Sequence, residues 1–335
     1  MFSPVKTEYS RNLARPAASN RFVPTRLLAL LLLLPPWTTA AAETVDERVL
    51  RAGDTELRIA VVGVEDRTRV EVLHRWAAEA ARATLTASGR FPLTSARARI
   101  FQRASRSDEA VPWGQTSRRG EVAVLLYVRP DAGFDELRAD WTAVHEFSHL
   151  YHPYLGDDGR WLAEGLASYY QNVLRARAGL LRPDEAWQRL EGGFARGRRA
   201  TDDVPLADIG RGRGATMRIY WAGAAYWLDA DIALRKRGSS LDAVLDRHAR
   251  CCLRGSASMT PMQFAAALDK AGGDGVFSRL YRDYSASREF PSQQAAYAML
   301  GIEVDDGSLQ FSSRAQAAGL RTAIMGSEVR SVGGD

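Results

Sequence analysis

Cysteine is scarce in this sequence: only Cys251 and Cys252 occur among 335 residues, and they are adjacent. Adjacent cysteines cannot close a long loop, which excludes the disulfide framework that stabilises many small secreted domains. The pair has two alternative states, a vicinal disulfide or two buried thiols, and we expect the thiols. Neither state assigns a function.

Long apolar runs are also missing, and the one near the start, residues 27–34, is about half of the ~20 residues that cross a bilayer. Basic residues precede this run, Pro35 and Pro36 follow it, and three alanines end at Ala42, which is the pattern of a secretory signal peptide. We therefore predict that residues 1–42 are removed on export to the periplasm or outside the cell. An uncleaved N-terminal anchor is the alternative, and no later segment is long enough to span a membrane.

Positive charge is concentrated in the same N-terminal stretch. The chain has a formal net charge of +5, but residues 1–42 contain five basic residues and one acidic residue, and so hold +4 of it. The remaining chain is close to neutral and lacks the positive field that nucleic-acid binding needs. Nucleic acid is therefore not an expected partner.

Apolar patterns in the first half of the chain predict a sheet with a helix packed on it. The segment from Arg67 to Thr84 has the apolar spacing of an amphipathic helix. The segments rich in apolar and β-branched residues, which predict strands, are 57–64, 121–128 and, more weakly, 96–101. The first lobe is therefore expected to be α/β.

The pattern from residue 134 to residue 284 is helical, with breaks at glycine and proline. A hairpin is predicted around Asp305-Asp306-Gly307. The expected organisation is a signal peptide (1–42), an α/β lobe with the metal-binding helix (43–158), a helical lobe (159–290), and a C-terminal hairpin and tail (291–335).

Histidine is scarce too, yet three of the five histidines, His145, His149 and His152, fall within eight positions. Residues four apart share one face of a helix, so His145 and His149 can direct imidazole nitrogens at one Zn²⁺ at ~2.1 Å. Glu146 lies ~100° round the helix from His145, where it can bind a metal-held water without being a ligand. This His-Glu-x-x-His pattern predicts one zinc ion per chain.

The surrounding segment has the apolar spacing of a helix, with Leu137, Trp141, Val144 and Tyr151 on one stripe. Pro153 ends the pattern, because the residue before a proline avoids the α region. The motif is therefore predicted to lie on one helix and not in a loop.

A catalytic zinc needs a third protein ligand and an open fourth position. Glu164, near the start of the next helix, is favoured over His152, because His145 and His152 are separated by about 10.5 Å of helix rise. His152 is then expected to line the pocket or to support a ligand. For Glu164 the alternative is a solvated acid in the first turn of a helix.

Several segments between residues 145 and 245 together resemble the gluzincin peptidases of the glycyl-aminopeptidase type, which are distant relatives of aminopeptidase N. The resemblance covers only the catalytic part of that family. The segments that carry it include His-Glu-Phe-Ser-His (145–149), Glu-Gly-x-x-Ser-Tyr-Tyr (164–170) and Tyr-Trp-Ala-Gly (220–223).

The resemblance implies an α+β fold with a thermolysin-like catalytic unit, in which a small mixed-sheet lobe precedes a mostly helical lobe. It also implies that His145, His149 and Glu164 bind Zn²⁺. Glu146 is implied as the general base and Tyr220 as the donor that stabilises the oxyanion. The alternative for Tyr220 is a core tyrosine packed among neighbouring aromatic rings.

Two departures from the family pattern bear on specificity. Ala222 replaces the family's lysine, and no segment like Gly-x-Met-Glu-Asn, which recognises a free amino terminus in aminopeptidase N relatives, precedes the motif. Residues 113–116 are the candidate for the same edge-strand position. An aminopeptidase specificity is therefore not implied.

The expected function is hydrolysis of peptide bonds in a peptide or protein substrate by a metal-activated water, with Glu146 as the base. The alternative from another class is a catalytically silent exported binding protein on a peptidase scaffold. A Glu146→Gln variant distinguishes the two, because only an enzyme loses activity on this change.

Overall fold

The computed structural model describes residues 44–118, 120–200, 203–210 and 215–327. The predicted signal peptide and the end of the C-terminal tail therefore lie outside the described residues. Within the described ranges, no helix combines the length and the apolar character needed to cross a membrane.

A five-stranded mixed sheet forms the base of the first lobe. Its strands are β1 (Val45–Ala52), β2 (Thr55–Val62), β3 (Ser95–Gln102), β4 (Trp113–Ser117) and β5 (Ala123–Val128). The spatial order is β1-β2-β3-β5-β4, with β2, β3 and β5 parallel and the two outer strands antiparallel to their neighbours. Apolar patterns predicted the three inner strands and missed β1, whose mostly exposed residues form no apolar run. Strand β4 contains residues 113–116, the candidate for the edge-strand position.

One long helix, α1 (Arg67–Ser88), covers the sheet as predicted. The Asp66 side chain caps its first turn by accepting from the backbone N–H of Thr68, and Gly89 ends it with φ of 73°. The buried stripe of α1 packs against β2 on one side and against the helices of the second lobe on the other. The sheet, α1 and the site helices therefore share one core.

The part of the chain that follows the sheet, from residue 134 to residue 286, is helical almost throughout, which confirms the predicted α+β fold. Its helices are α2 (Phe134–Ala139), α3 (Thr142–Ser148), α4 (Arg160–Arg177), α5 (Pro183–Arg199), α6 (Thr216–Arg235), α7 (Leu241–Cys251), α8 (Pro261–Leu268) and α9 (Val276–Ala286). The antiparallel hairpin predicted near the C-terminus is also present, as β6 (Ile302–Asp305) and β7 (Ser308–Phe311).

The C-terminal region contains more regular structure than the expected hairpin and tail. Two helices, α10 (Gln294–Leu300) and α11 (Ala315–Met325), flank the hairpin. Ile324 and Met325 at the end of α11 are fully buried, and α11 packs against α4 and α5. Its apolar residues therefore complete the core of the helical lobe, which the sequence did not predict.

The expectation of buried thiols at Cys251 and Cys252 is wrong. The two cysteines form a disulfide, and both residues are exposed. They lie at the C-terminal end of α7.

Two glycines bring α4 and α6 into backbone contact. A Cβ on Gly223 would stand 2.0 Å from the carbonyl oxygen of Trp161, and a Cβ on Gly165 would stand 2.3 Å from the carbonyl carbon of Gly223. The indole of Trp227 donates to the carbonyl oxygen of Leu162 at 2.9 Å across the same interface. This contact places Tyr220, one turn before Gly223, near the residues of α3.

Replacing Gly223 with alanine is expected to lower the free energy of unfolding by about 1–3 kcal/mol, because the added methyl group forces two packed helices apart. Urea denaturation at a fixed free zinc concentration measures the change. Gly192→Ala on α5 is the matched control, since its Cβ would meet only a flexible arginine tip at 3.6 Å and should add about 0.5–1 kcal/mol. Equal stabilities in the two variants would contradict the close contact.

Candidate metal centre

The motif lies on a shorter helix than predicted. The segment expected as one helix from Leu137 to Tyr151 is broken at Asp140, whose backbone is extended with ψ of 145°. The Asp140 carboxylate accepts from the backbone N–H of Thr142 at 2.7 Å and of Val111 at 3.2 Å. It therefore gives a partner to a backbone N–H in the first turn of α3 and links this helix to the sheet lobe. Apolar spacing alone did not reveal this capping function.

A single 3-10 turn, His149–Tyr151, continues α3. Arg118, directly after β4, donates from its guanidinium to the carbonyl oxygen of His149 at 2.6 Å and to that of His152. These are carbonyls that the end of a helix leaves without an internal partner. Arg118 therefore fixes the position of the second motif histidine from the sheet lobe.

The structure brings His145, His149 and Glu164 together. One ligand atom from each residue lies within 4.8 Å of the other two. Oε2 of Glu164 is 3.3 Å from Nε2 of His145 and 3.6 Å from Nε2 of His149. Four bonds of ~2.1 Å in a tetrahedral arrangement place the ligand atoms about 3.4 Å apart. Both distances from the Glu164 oxygen thus match the spacing of ligands on a tetrahedral ion.

Glu164 lies on α4 and is fully buried, which excludes the alternative of a solvated acid. The chain reverses between α3 and α4 in a compact loop, where the backbone N–H of Arg160 donates to the carbonyl oxygen of Asp157 at 3.1 Å. His152 is not part of the three-residue cluster. It lies behind His149 instead, in a supporting position.

Hydrogen bonds define the tautomers of both motif histidines. Nδ1 of His145 donates to the amide oxygen of Gln171 at 2.7 Å. Nδ1 of His152 donates to the carbonyl oxygen of Pro153 at 2.7 Å, so its Nε2 accepts from Nδ1 of His149 at 2.9 Å. Both Nε2 atoms that face Glu164 therefore keep their lone pairs for a metal.

Substituting His152 with alanine is expected to lower the Zn²⁺ affinity about 10–100-fold, because His149 loses the acceptor that orients its ring. Competition with a chelator measures the affinity. His152→Gln keeps an acceptor and should lose less. An affinity for Zn²⁺ unchanged in His152→Ala would show that the rest of the fold orients His149 without this contact.

Glu146 points into the space between α3 and the edge strand β4. The hydroxyl of Thr116 on β4 is 3.1 Å from Oε2 of Glu146 and 2.9 Å from its backbone oxygen. A Cβ on Gly114 would stand 2.6 Å from Cγ of Glu146, so only glycine lets the two elements approach this closely. Residues 113–116 therefore do occupy an edge strand beside the motif.

Burial and the surrounding charges change the acidity of the two carboxyl groups. Burial raises the pKa of Glu146 above its ordinary value, although the neighbouring histidines oppose this effect. Burial disfavours the charged form of Glu164 as well, but its contacts with His145 and His149 prevail and hold its pKa well below the usual range. The histidine contacts of Glu164 thus outweigh the effect of its burial, whereas for Glu146 the effect of burial prevails.

Tyr220 on α6 lies beside the cluster. Its ring is nearly parallel to that of His145, with an interplanar angle of 8° and centroids 6.0 Å apart. Only 6% of the residue is exposed. The tyrosine implied by the family resemblance thus lies against a candidate ligand.

Three buried polar atoms of the site that lack a hydrogen-bond partner in the described part of the chain indicate whether it fits a metal ion. Among the described residues, three buried atoms here have no hydrogen-bond partner: Oε1 of Glu146, Nε2 of His149 and Oε1 of Glu164. Buried polar atoms normally have partners, and a cation with a bound water would satisfy all three. Two imidazoles and one carboxylate are also a donor set of catalytic zinc sites, so the residues fit this ion.

The chain is similar to known peptidases in part of its sequence and in its fold. The family model of the M61 glycyl aminopeptidases matches residues 151–203. No curated protein sequence matches the chain. The fold is similar to an aminopeptidase N family protein from Idiomarina loihiensis, with a TM-score of 0.57, 12% identity, and 78% of this chain and 50% of that chain covered.

It is also similar to a variant of a two-domain M1 zinc metallopeptidase bound to L-arginine, with a TM-score of 0.51, 13% identity, and 74% of this chain and 53% of that chain covered. This chain thus spans about half the length of either structure.

The family model and the similar structures support a peptidase-like scaffold. More particularly, the chain resembles the gluzincin aminopeptidases of the M61 and M1 groups at a distance, which confirms the resemblance seen in the sequence.

Proposed function

We propose that this protein is a zinc-dependent peptidase of the gluzincin type, with one Zn²⁺ per chain bound by His145, His149 and Glu164. The observation that supports this most directly is the spacing of the three ligand atoms, beside a buried Glu146 that keeps one carboxylate oxygen without a protein partner. Binding of a metal would need no rearrangement of the backbone.

When bound, Zn²⁺ polarises a substrate carbonyl and lowers the pKa of a water at the site toward ~7. Glu146 would accept a proton from the attacking water and later deliver it to the leaving amine. Thr116 holds the other oxygen of the carboxylate, so Oε1 is the atom that exchanges the proton. The Tyr220 hydroxyl would donate a hydrogen bond to the oxyanion that develops on the carbonyl.

The position of β4 supports a peptide substrate. No described strand pairs with the outer edge of β4, and an extended peptide can add to a sheet edge through backbone hydrogen bonds. Gly114 and Thr116 place this edge directly against Glu146. A peptide bound there would lie with its backbone beside the proposed base.

The test is a measurement of the zinc content of the purified protein, followed by a screen against a peptide library. One zinc per chain with cleavage that a chelator stops and added zinc restores would support the proposal. One zinc without cleavage of any library peptide would favour a silent binding protein on this scaffold. The absence of zinc after reconstitution would refute the proposal.

Export of the protein remains a prediction from residues 1–42.

Changing Tyr220 to phenylalanine is expected to lower kcat about 10²-fold or more while zinc stays bound, because the change removes only the hydroxyl that stabilises the oxyanion. Steady-state kinetics with the best library peptide measure the effect. Tyr226→Phe is the matched control: Tyr226 lies on the same helix, but its hydroxyl donates to the carbonyl oxygen of Phe277 in the core. Unchanged kcat in Tyr220→Phe would assign Tyr220 to packing alone.

A further inference from the structure

A second group of potential metal ligands lies at the end of α7. His248, Cys251 and Cys252 offer ligand atoms that all lie within 4.8 Å of one another. Residues three and four positions apart share one face of a helix, which explains why both sulfur atoms approach the same imidazole. None of these residues belongs to the proposed catalytic site.

His248 is the unusual member of this group. It is fully buried, yet neither of its ring nitrogens has a hydrogen-bond partner among the described residues. Its ring packs edge-on against Phe264, with centroids 5.5 Å apart. A buried imidazole normally has at least one polar partner, so the fold leaves a nitrogen ligand unused beside two sulfur atoms.

We propose that reduction of the Cys251–Cys252 disulfide creates a second metal site, in which His248 and the two thiolates bind a thiophilic divalent cation such as Zn²⁺. Two cysteines and one histidine form an established zinc donor set that leaves a fourth position for water. Thiolates also select such cations over Mg²⁺ and Ca²⁺, which prefer oxygen ligands.

The chemistry requires a reductant, for which we specify a dithiol. One of its thiolates attacks a sulfur of the Cys251–Cys252 bond, which forms a mixed disulfide and releases the other cysteine as a thiolate. The second thiolate of the reductant then attacks its own sulfur in the mixed disulfide and releases the remaining cysteine. Two electrons and two protons pass to the protein, which gains two thiols, while the reductant becomes a cyclic disulfide. Binding of the cation then displaces the two thiol protons, and His248 binds as a neutral ring.

Solvent reaches the proposed site from the side of the two cysteines. Cys251 and Cys252 are exposed to solvent, whereas His248 lies behind them in the core. A reductant and a cation can therefore reach the sulfur atoms without unfolding of α7. The bound ion would bridge the exposed end of the helix and its buried face.

The experiment uses Co²⁺ as a spectroscopic substitute for Zn²⁺ on the full chain. The protein is reduced with a dithiol, desalted without oxygen and titrated with Co²⁺, beside an untreated sample. Thiolate ligands give cobalt a charge-transfer absorption that nitrogen and oxygen ligands do not. Because these are the only cysteines in the chain, the band reports this site even when the catalytic site is also loaded.

We expect one additional Co²⁺ per chain with the charge-transfer band in the reduced protein, and neither in the untreated protein. Cys252→Ser should lose the band, and His248→Leu should lower the affinity by at least about tenfold. Equal cobalt binding without the band in reduced and untreated protein would overturn the proposal. Undiminished affinity in His248→Leu would overturn the three-ligand site. Because Cys252 is exposed, Cys252→Ser provides a test that does not depend on core packing at His248.

Discussion

Replacing His149 or Glu164 with alanine is expected to leave the protein without zinc and to lower peptide hydrolysis about 10⁴-fold or more. The Lewis-acid stabilisation of several kcal/mol and the activated water are lost together, and each 1.4 kcal/mol is about tenfold in rate. Two protein ligands cannot retain the ion as three do. The fold is expected to persist, because the hydrophobic core extends through both lobes.

Metal analysis and single-turnover hydrolysis of both variants, with circular dichroism as a check of folding, measure this effect. His74→Ala is the matched control for His149→Ala, since His74 is also buried but bonds to Asp46 at 2.8 Å, outside the cluster. The control should keep one zinc per chain. Retention of zinc in Glu164→Ala would show that another residue is the third ligand.

Unlike the ligand variants, Glu146→Gln is expected to retain zinc, while its kcat falls about 10²–10⁴-fold, the effect of losing a general base. Glutamine has nearly the same shape, and the Thr116 hydroxyl can still donate to its amide oxygen. What disappears is the carboxylate that takes the proton from water. Binding of substrate should therefore change little compared with turnover.

The kinetics of this variant are best compared with those of Glu191→Gln. Glu191 is likewise a buried acid, but it binds Arg198 and Tyr297 and is not part of the three-residue cluster. Glu191→Gln should keep wild-type turnover. A Glu146→Gln protein as active as wild type would assign the observed hydrolysis to a different group.

Much of the candidate site was visible in the sequence because its elements are local. The spacing of His145, Glu146 and His149 is a property of one helical turn, and Glu164 follows within one short connection. The supporting residues were not visible. Gln171 and Thr116 are 26 and 30 residues from the motif groups that they contact, and no periodicity relates them.

The errors in the predicted fold have a common physical origin. Strand β1 lies at an edge of the sheet, where few of its side chains are buried, so it contains no apolar run. At the break, the Asp140 carboxylate accepts from Thr142, two residues away, and from Val111, 29 residues away. The burial of α11 depends on a surface that only α4 and α5 together provide.

The sequence by itself determined the α+β class, the inner strands, the helical lobe and the pair of histidines on one helical face, since each follows from contacts within a few residues. Only the tertiary structure decided that Glu164 is buried at tetrahedral spacing from both histidines, that His152 supports His149, and that Tyr220 lies against His145. These depend on the distance between α3, α4 and α6, which is set by the packing of whole helices and by the backbone contact at Gly165 and Gly223.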